Sequence, residues 1–141
     1  MLAKNILVPT DFSECSMHAL DYACELAQRL DASIHLVNCV SVPPEINIAL
    51  TQEMVETLRS GAEQALDKLV SRPGVRFARP QVVSMDPREG ILDAAQRTKA
   101  DLIVLGTHGR RGFTRFMLGS VAEGVLRRAT CPVLTLRGGA S

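Results

Sequence analysis

The stretch of residues 106–121, GTHGRRGFTRFMLGSV, contains residue types that could hold an anion. Gly106 and Gly109 permit positive φ angles and let backbone N–H groups approach an anion without interference from a Cβ atom. Gly119 and Ser120 precede a segment of helical periodicity, where free N–H groups and the helix dipole favour a phosphate. The stretch therefore predicts a phosphate cradle. A simple turn followed by an ordinary serine N-cap is the alternative, and glycine spacing alone leaves it open.

Two better-known phosphate loops are absent from the sequence. It contains no G-x-x-x-x-G-K-[ST], and no G-x-G-x-x-G follows the first predicted strand. Arg110, Arg111 and Arg115 could pair with a phosphate or form a solvated face. His108 fits an exposed loop residue, a phosphate or ribose contact, or a general base. A phosphate here would be held without a Walker lysine.

Alternating strand and helix patterns surround this stretch and predict the fold. Short apolar runs predict five strands, and apolar residues three or four positions apart predict four helices between them. The predicted strands are 6–8, 33–40, 75–84, 101–106 and 131–136, and the predicted helices are 14–30, 50–69, 86–99 and 121–129. Such alternation predicts one doubly wound α/β domain over residues 1–141, an open parallel five-stranded sheet with helices on both faces.

The prolines indicate how the strands are ordered. Pro80, in the third strand, and Pro132, at the start of the fifth, suit edge strands, because proline donates no ladder hydrogen bond. This fits the order 3-2-1-4-5. Ligands of such sheets bind beyond the carboxyl ends of the strands where the order reverses, here between the first and fourth strands. The loop PTDFS (9–13) and the 106–121 stretch would meet there. Asp11 or Ser13 could cap the first helix, and Asp11 could instead contact a ligand.

Composition excludes several other classes of protein. The chain has 141 residues and a net charge of +1, so it carries no overall attraction for nucleic acid or an anionic membrane. No apolar run is long enough for a membrane span or a secretory segment, and we expect a cytoplasmic location. The four cysteines show no C-x-x-C spacing and are expected to be reduced, with no metal site.

Two long segments of the sequence resemble the universal stress protein family. KNILVPTDFSECSMHALDYACELA is similar to the family's first strand, loop and helix, and ADLIVLGTHGRRGFTRFMLGSVAEGVLRRATCPVL is similar to its carboxyl-terminal third. The second segment includes the family's G-x2-G-x9-G-[ST] motif, formed by Gly106, Gly109, Gly119 and Ser120. The resemblance implies the family fold, which is adenine-nucleotide alpha-hydrolase-like with flavodoxin-like layering. The full motif implies the ATP-binding branch.

The resemblance also implies which residues bind the nucleotide. Asp11 would reach adenine or ribose, Cys39 would offer its backbone to the base, and the start of the last helix would hold the β- and γ-phosphates with Mg²⁺ or Mn²⁺. The implied nucleotide-binding residues are Pro9, Thr10, Asp11, Cys39, Leu105, Gly106, His108, Gly109, Gly119, Ser120 and Val121. The sequence departs from the family at Asn38-Cys39, usually His-Val, and at Met85, commonly glycine, where a long side chain could narrow the pocket.

Three functions fit these features. The first is a cytoplasmic stress-response regulator that binds ATP as a homodimer, formed through the edge strand at 131–136, whose open edge a second subunit would cover. The second is a slow ATPase or phosphotransferase, in which Arg110 or Arg111 stabilises phosphate charge. The third is a dimeric interaction module whose pocket is filled by Met85. No catalytic residue is predicted.

Overall fold

The computed structural model describes residues 2–40, 52–107 and 119–137. Strands and helices alternate along these ranges. In chain order they are β1 Asn5–Pro9, α1 Glu14–Leu30, β2 Ser33–Cys39, α2 Gln52–Leu69, β3 Arg76–Phe77, β4 Gln81–Val83, α3 Pro87–Arg97, β5 Leu102–Gly106, α4 Ser120–Arg128 and β6 Val133–Leu136. None of these helices is long and apolar enough to cross a membrane.

The strands form one parallel sheet in the order β3-β2-β1-β5-β6, and β4 also pairs with β2. The predicted α/β class and strand order are confirmed, because β3 and β4 together occupy the third position. The prediction of one continuous third strand is wrong. Two short strands flank residues 78–80 instead, and Pro80, which has no N–H to donate, lies in this interruption at the edge of the sheet.

Both faces of the sheet are covered by helices. Alternate residues of β1 point to opposite faces: Ile6 and Val8 pack with α1 and α2, and Leu7 packs with α3 and α4. Among the described residues the first layer is completed by buried side chains such as Leu20 and Leu66, and the second by Ile91 and Val125. The sheet is therefore doubly wound.

The strand order reverses between β1 and β5, as the sequence predicts. Ile6 pairs with Leu102 and Leu7 with Ile103, so the two strands end side by side. The chain leaves β1 for α1 on one face, whereas α4, the next described helix after β5, packs on the other. Connections that diverge in this way open a crevice at the carboxyl edge of the sheet, where ligands of open α/β sheets bind.

Candidate functional site

The loop between β1 and α1 is held by its own side chains. Thr10 is only 5 % exposed, and its hydroxyl shares a 3.0 Å hydrogen bond with the Ser16 hydroxyl and accepts one from the Phe12 N–H at 3.0 Å. Phe12 has a φ of 65°, which a bulky residue seldom adopts. Ser13 is the N-cap of α1, whereas Asp11 Oδ1 accepts from the Ser13 N–H at 3.0 Å. Asp11 thus shapes the turn and does not cap the helix.

The end of β2 fixes this loop to the sheet. The buried Asn38 donates from Nδ2 to the Thr10 carbonyl oxygen at 2.8 Å, and the Thr10 N–H donates to the Val37 carbonyl at 2.9 Å. These two bonds extend the pairing of β1 and β2 past the end of β1. Hydrogen bonds within the protein therefore hold Thr10, one of the predicted site residues, in place without a ligand.

Cys39, at the end of β2, directs its side chain toward α3. Its thiol donates a long 3.8 Å hydrogen bond to the Pro87 carbonyl, and a Cβ atom at Gly90 would lie 2.5 Å from its Sγ atom. Burial, and secondarily the Asp86 carboxylate, raises the pKa of this thiol to about 11. The side chain is thus a neutral part of the packing under α3, which leaves only the backbone of Cys39 for the predicted contact with the base.

β5 ends at Gly106, which lies against the first turn of α1. A Cβ atom there would lie 2.6 Å from Cys15 Sγ and 3.1 Å from the Cys15 backbone carbon and oxygen. Gly106 does not adopt the positive φ that glycine permits; among the described glycines a positive φ occurs at Gly74. The absence of a side chain at Gly106 is required by this close approach of α1 and not by an unusual backbone conformation.

The amino terminus of α4 lies beside the end of β5. Gly119 is the N-cap, so the alternative of a Ser120 cap is wrong, and Ser120 and Val121 are the first helical residues. The Gly119 N–H donates to the Thr107 carbonyl at 2.7 Å, and none of the described side chains caps the helix. N–H groups of a first helical turn have no partner within the helix. They are oriented to bind an acceptor at the carboxyl edge of the sheet.

The strand order brings most of the predicted site residues to one edge of the sheet. The described members, at or just after the ends of β1, β2 and β5 and at the start of α4, are Pro9, Thr10, Asp11, Cys39, Leu105, Gly106, Gly119, Ser120 and Val121. His108 and Gly109 lie outside the described residues. Asn38 and Thr107 belong to the same edge and were not predicted as site residues. Met85, the expected obstacle, has a side chain that is 42 % exposed.

Two other features of the described chain do not form part of this site. Residues 2–40, 52–107 and 119–137 contain no group of three or more His, Cys, Asp or Glu side chains that could hold a metal ion. A groove of about 490 Å³ runs between α2 and the edge strand β4 and is lined partly by Arg59, Glu63 and Arg79. These charged side chains are exposed, and Arg59 and Glu63 pair at 3.5 Å. The groove is remote from the reversal of strand order.

The fold and the arrangement of this edge define a class of protein. The model of the universal stress protein family matches residues 3–137, and the chain belongs to that family.

Individual relatives cover nearly the whole chain. Universal stress protein MJ0531 of Methanocaldococcus jannaschii is 35 % identical over 96 % of this chain and 83 % of its own. Universal stress protein A homolog 1 of Coxiella burnetii is 32 % identical over 94 % of this chain and 95 % of its own. The solved structure of the hypothetical protein MJ0577 superposes with a TM-score of 0.87 at 27 % identity and covers 100 % of both chains. The architecture is that of the family.

Proposed function

We propose that this universal stress protein binds ATP in the crevice between β1 and β5 and acts as a homodimeric regulator whose occupancy alters its interactions. The proposal treats residues 1–141 as one domain of the ATP-binding branch, located in the cytoplasm. Its residues are those of the predicted nucleotide set, with the base and ribose beside Pro9–Asp11 and Cys39, and the phosphates at Gly106–Gly109 and Gly119–Val121.

One observation carries the proposal: the amino terminus of α4, which no described side chain caps, lies at the reversal of strand order, where the Gly119 N–H donates to the Thr107 carbonyl just past the end of β5. The first-turn N–H groups and the helix dipole provide a positive electrostatic potential at a place where α/β sheets bind ligands. Gly106 lets the end of β5 lie close to Cys15 at the start of α1. A phosphate could then approach the backbone without displacing a side chain.

A divalent ion would accompany the phosphates. In the described part of the chain no cluster of carboxylates, histidines or cysteines is built to hold it. Mg²⁺ commonly keeps several waters and binds through substrate phosphates with few protein ligands, so this composition fits an ion that arrives with ATP. In this proposal the protein binds the phosphates and contributes little to the coordination of the ion.

The proposed dimer forms through β6. Within the described residues β6 pairs only with β5, and all four of its residues are half-buried. The Ile103 and Thr107 N–H groups donate to the Pro132 and Leu136 carbonyls, so the backbone of Thr135 faces the open edge. A second copy pairing along this edge would satisfy those groups.

The binding experiment titrates the purified protein with ATP and Mg²⁺ by calorimetry, after mass spectrometry has identified any nucleotide that co-purifies. We expect saturable binding of ATP, with slow phosphate release or none. Absence of binding at millimolar ATP would refute the proposal. Sustained phosphate release that is lost with Ser120→Ala would favour the slow ATPase.

The dimer is tested separately by light scattering of the wild type and Thr135→Pro. Proline removes the outward N–H of Thr135 but leaves the hydrogen bonds to β5 in place. We expect a dimer for the wild type and a monomer for the variant, with circular dichroism unchanged. A wild-type monomer, or a variant that remains dimeric, contradicts pairing through β6.

A further inference from the structure

The Thr107 hydroxyl is a buried polar group for which the described residues provide no hydrogen-bond partner. Thr107 is only 8 % exposed, and its Oγ1 atom meets no donor or acceptor that the structure describes. Its backbone is fully engaged: the N–H donates to the Leu136 carbonyl at 2.9 Å, and the carbonyl accepts from the Gly119 N–H at 2.7 Å. A buried hydroxyl left unpaired lowers stability, so such groups call for an explanation.

The direction of this side chain follows from the strand that precedes it. Ile103 and Leu105 of β5 pack in the layer that contains Ala122 and Val125 of α4. Side chains two residues apart on a strand point to the same face, and the ladder to β6 continues through the Thr107 N–H. The Thr107 side chain therefore lies on the α4 side of the sheet, beside the amino terminus of that helix.

We propose that Thr107 is a ligand-binding residue whose hydroxyl donates a hydrogen bond to a phosphoryl oxygen of the bound nucleotide. This inference rests on the proposed function and adds a residue that belongs to none of the predicted contacts. A hydroxyl next to uncapped helical N–H groups is matched by an acceptor that carries negative charge, because the helix dipole favours an anion at that end. Binding would then satisfy a donor that the protein alone leaves without a partner.

Gln81 provides an internal comparison. Its Oε1 atom is also buried and without a partner in the described chain, but the residue is only partly buried and lies on the edge strand β4. None of the described helices begins beside it to supply further donors. Among the described residues, a buried hydroxyl, a helix start without a side-chain cap and the reversal of strand order coincide at Thr107 alone.

The test measures ligand-free stability and ligand affinity for Thr107→Val, which removes the hydroxyl at nearly constant shape. Because no hydrogen bond is lost in the free protein, we expect its melting temperature to stay the same or rise. A lost bond to a charged oxygen should weaken binding of ATP by about 10- to 100-fold. Binding of adenosine should not change. Thr107→Ser, which keeps the hydroxyl, should bind ATP like the wild type, and the exposed Thr57→Val is the matched control.

Each alternative outcome leads to a different conclusion. If the wild type and Thr107→Val bind ATP equally, or if adenosine affinity falls as much as ATP affinity, the inference is wrong while the proposed function stands. If Thr107→Val does not fold, Thr107→Ala and Thr107→Ser are compared under the same criteria. If the wild type does not bind ATP, the proposed function is wrong, and inorganic triphosphate replaces ATP as the probe. Weaker binding of triphosphate by the variant then upholds the inference, and equal or absent binding overturns it.

Discussion

The two sides of the crevice between β1 and β5 differ in how far their polar groups are hydrogen-bonded within the protein. On the β1 side the Thr10 hydroxyl contacts Ser16 and Phe12, and the Thr10 carbonyl accepts from Asn38. On the β5 side, within the described part of the chain, the Thr107 hydroxyl has no partner and no side chain caps α4. Both threonines are more than nine-tenths buried. The difference is therefore one of hydrogen bonding and not of exposure.

This contrast indicates that the two sides of the site have different roles in binding. A loop whose hydrogen bonds are complete keeps its shape without a ligand and suits the recognition of a rigid group such as a base or ribose. Donors left without a partner carry a free-energy cost that an anionic ligand can remove. We expect ligand binding to change the stability of the β5 side more than that of the β1 side. Substitutions at the contact between the two sides, on the β1 side and on the β5 side should therefore differ in their effects.

The largest effect is expected for Gly106→Ala, because Gly106 is where the end of β5 touches the start of α1. The added Cβ atom would be 2.6 Å from Cys15 Sγ and 3.1 Å from the Cys15 backbone, which cannot move without shifting α1. Such overpacking should lower the free energy of unfolding by about 3 kcal/mol, measured in urea.

Two further variants make the Gly106 test specific. A Cβ atom added at Gly61, in α2, would meet no atom within 4 Å, so Gly61→Ala should raise stability by about 0.5–1 kcal/mol. Cys15→Ala combined with Gly106→Ala should recover only part of the loss, because the backbone contact remains. Full recovery would show that the Sγ atom alone sets the spacing between α1 and β5.

A smaller effect, of about 1–3 kcal/mol, is expected for Thr10→Val. The substitution removes the acceptor of the Phe12 N–H and the bond to Ser16, which hold a residue at positive φ. The free energy of unfolding should fall without ligand, opposite to the expectation for Thr107→Val. Equal responses of the two valine variants would mean that the two sides of the crevice do not differ. Thr57→Val again serves as the control.

Much of this architecture can be predicted from sequence patterns, and particular residues show which features cannot. The bounds of α1 and the central position of β5 follow from periodicity and from an uninterrupted apolar run. Pro80 indicates an edge, but the split into β3 and β4 depends on the pairing of each part with β2. Proline chemistry alone does not contain that information.

The site residues also divide into those that sequence patterns predict and those that only the structure reveals. The glycine motif predicts where a phosphate would be held, but the reason for Gly106 is the approach of Cys15, 91 positions earlier in the chain, which only tertiary packing reveals. Thr107 lies within the motif, but its role is not visible in the sequence. A sequence does not distinguish a threonine whose hydroxyl has a hydrogen-bond partner from one whose hydroxyl has none. Asn38 is similar: its bond to Thr10 connects the end of β2 with a loop residue 28 positions earlier in the chain.

The smallest change in stability is expected for Ser120→Ala, and this makes it the sharpest probe of the β5 side. Ser120 is exposed, its hydroxyl makes no hydrogen bond that the structure describes, and it is not the N-cap of α4, so the free energy of unfolding should change by less than about 0.5 kcal/mol. If its hydroxyl contacts a phosphate, ATP affinity should nevertheless fall by about tenfold, and Ser120→Thr should restore it. A loss of stability comparable to that of a missing cap, about 1 kcal/mol, would instead assign the serine a structural role. Chemical denaturation and calorimetry on the same samples separate these results, because binding and stability change together for a structural residue and independently for a ligand contact.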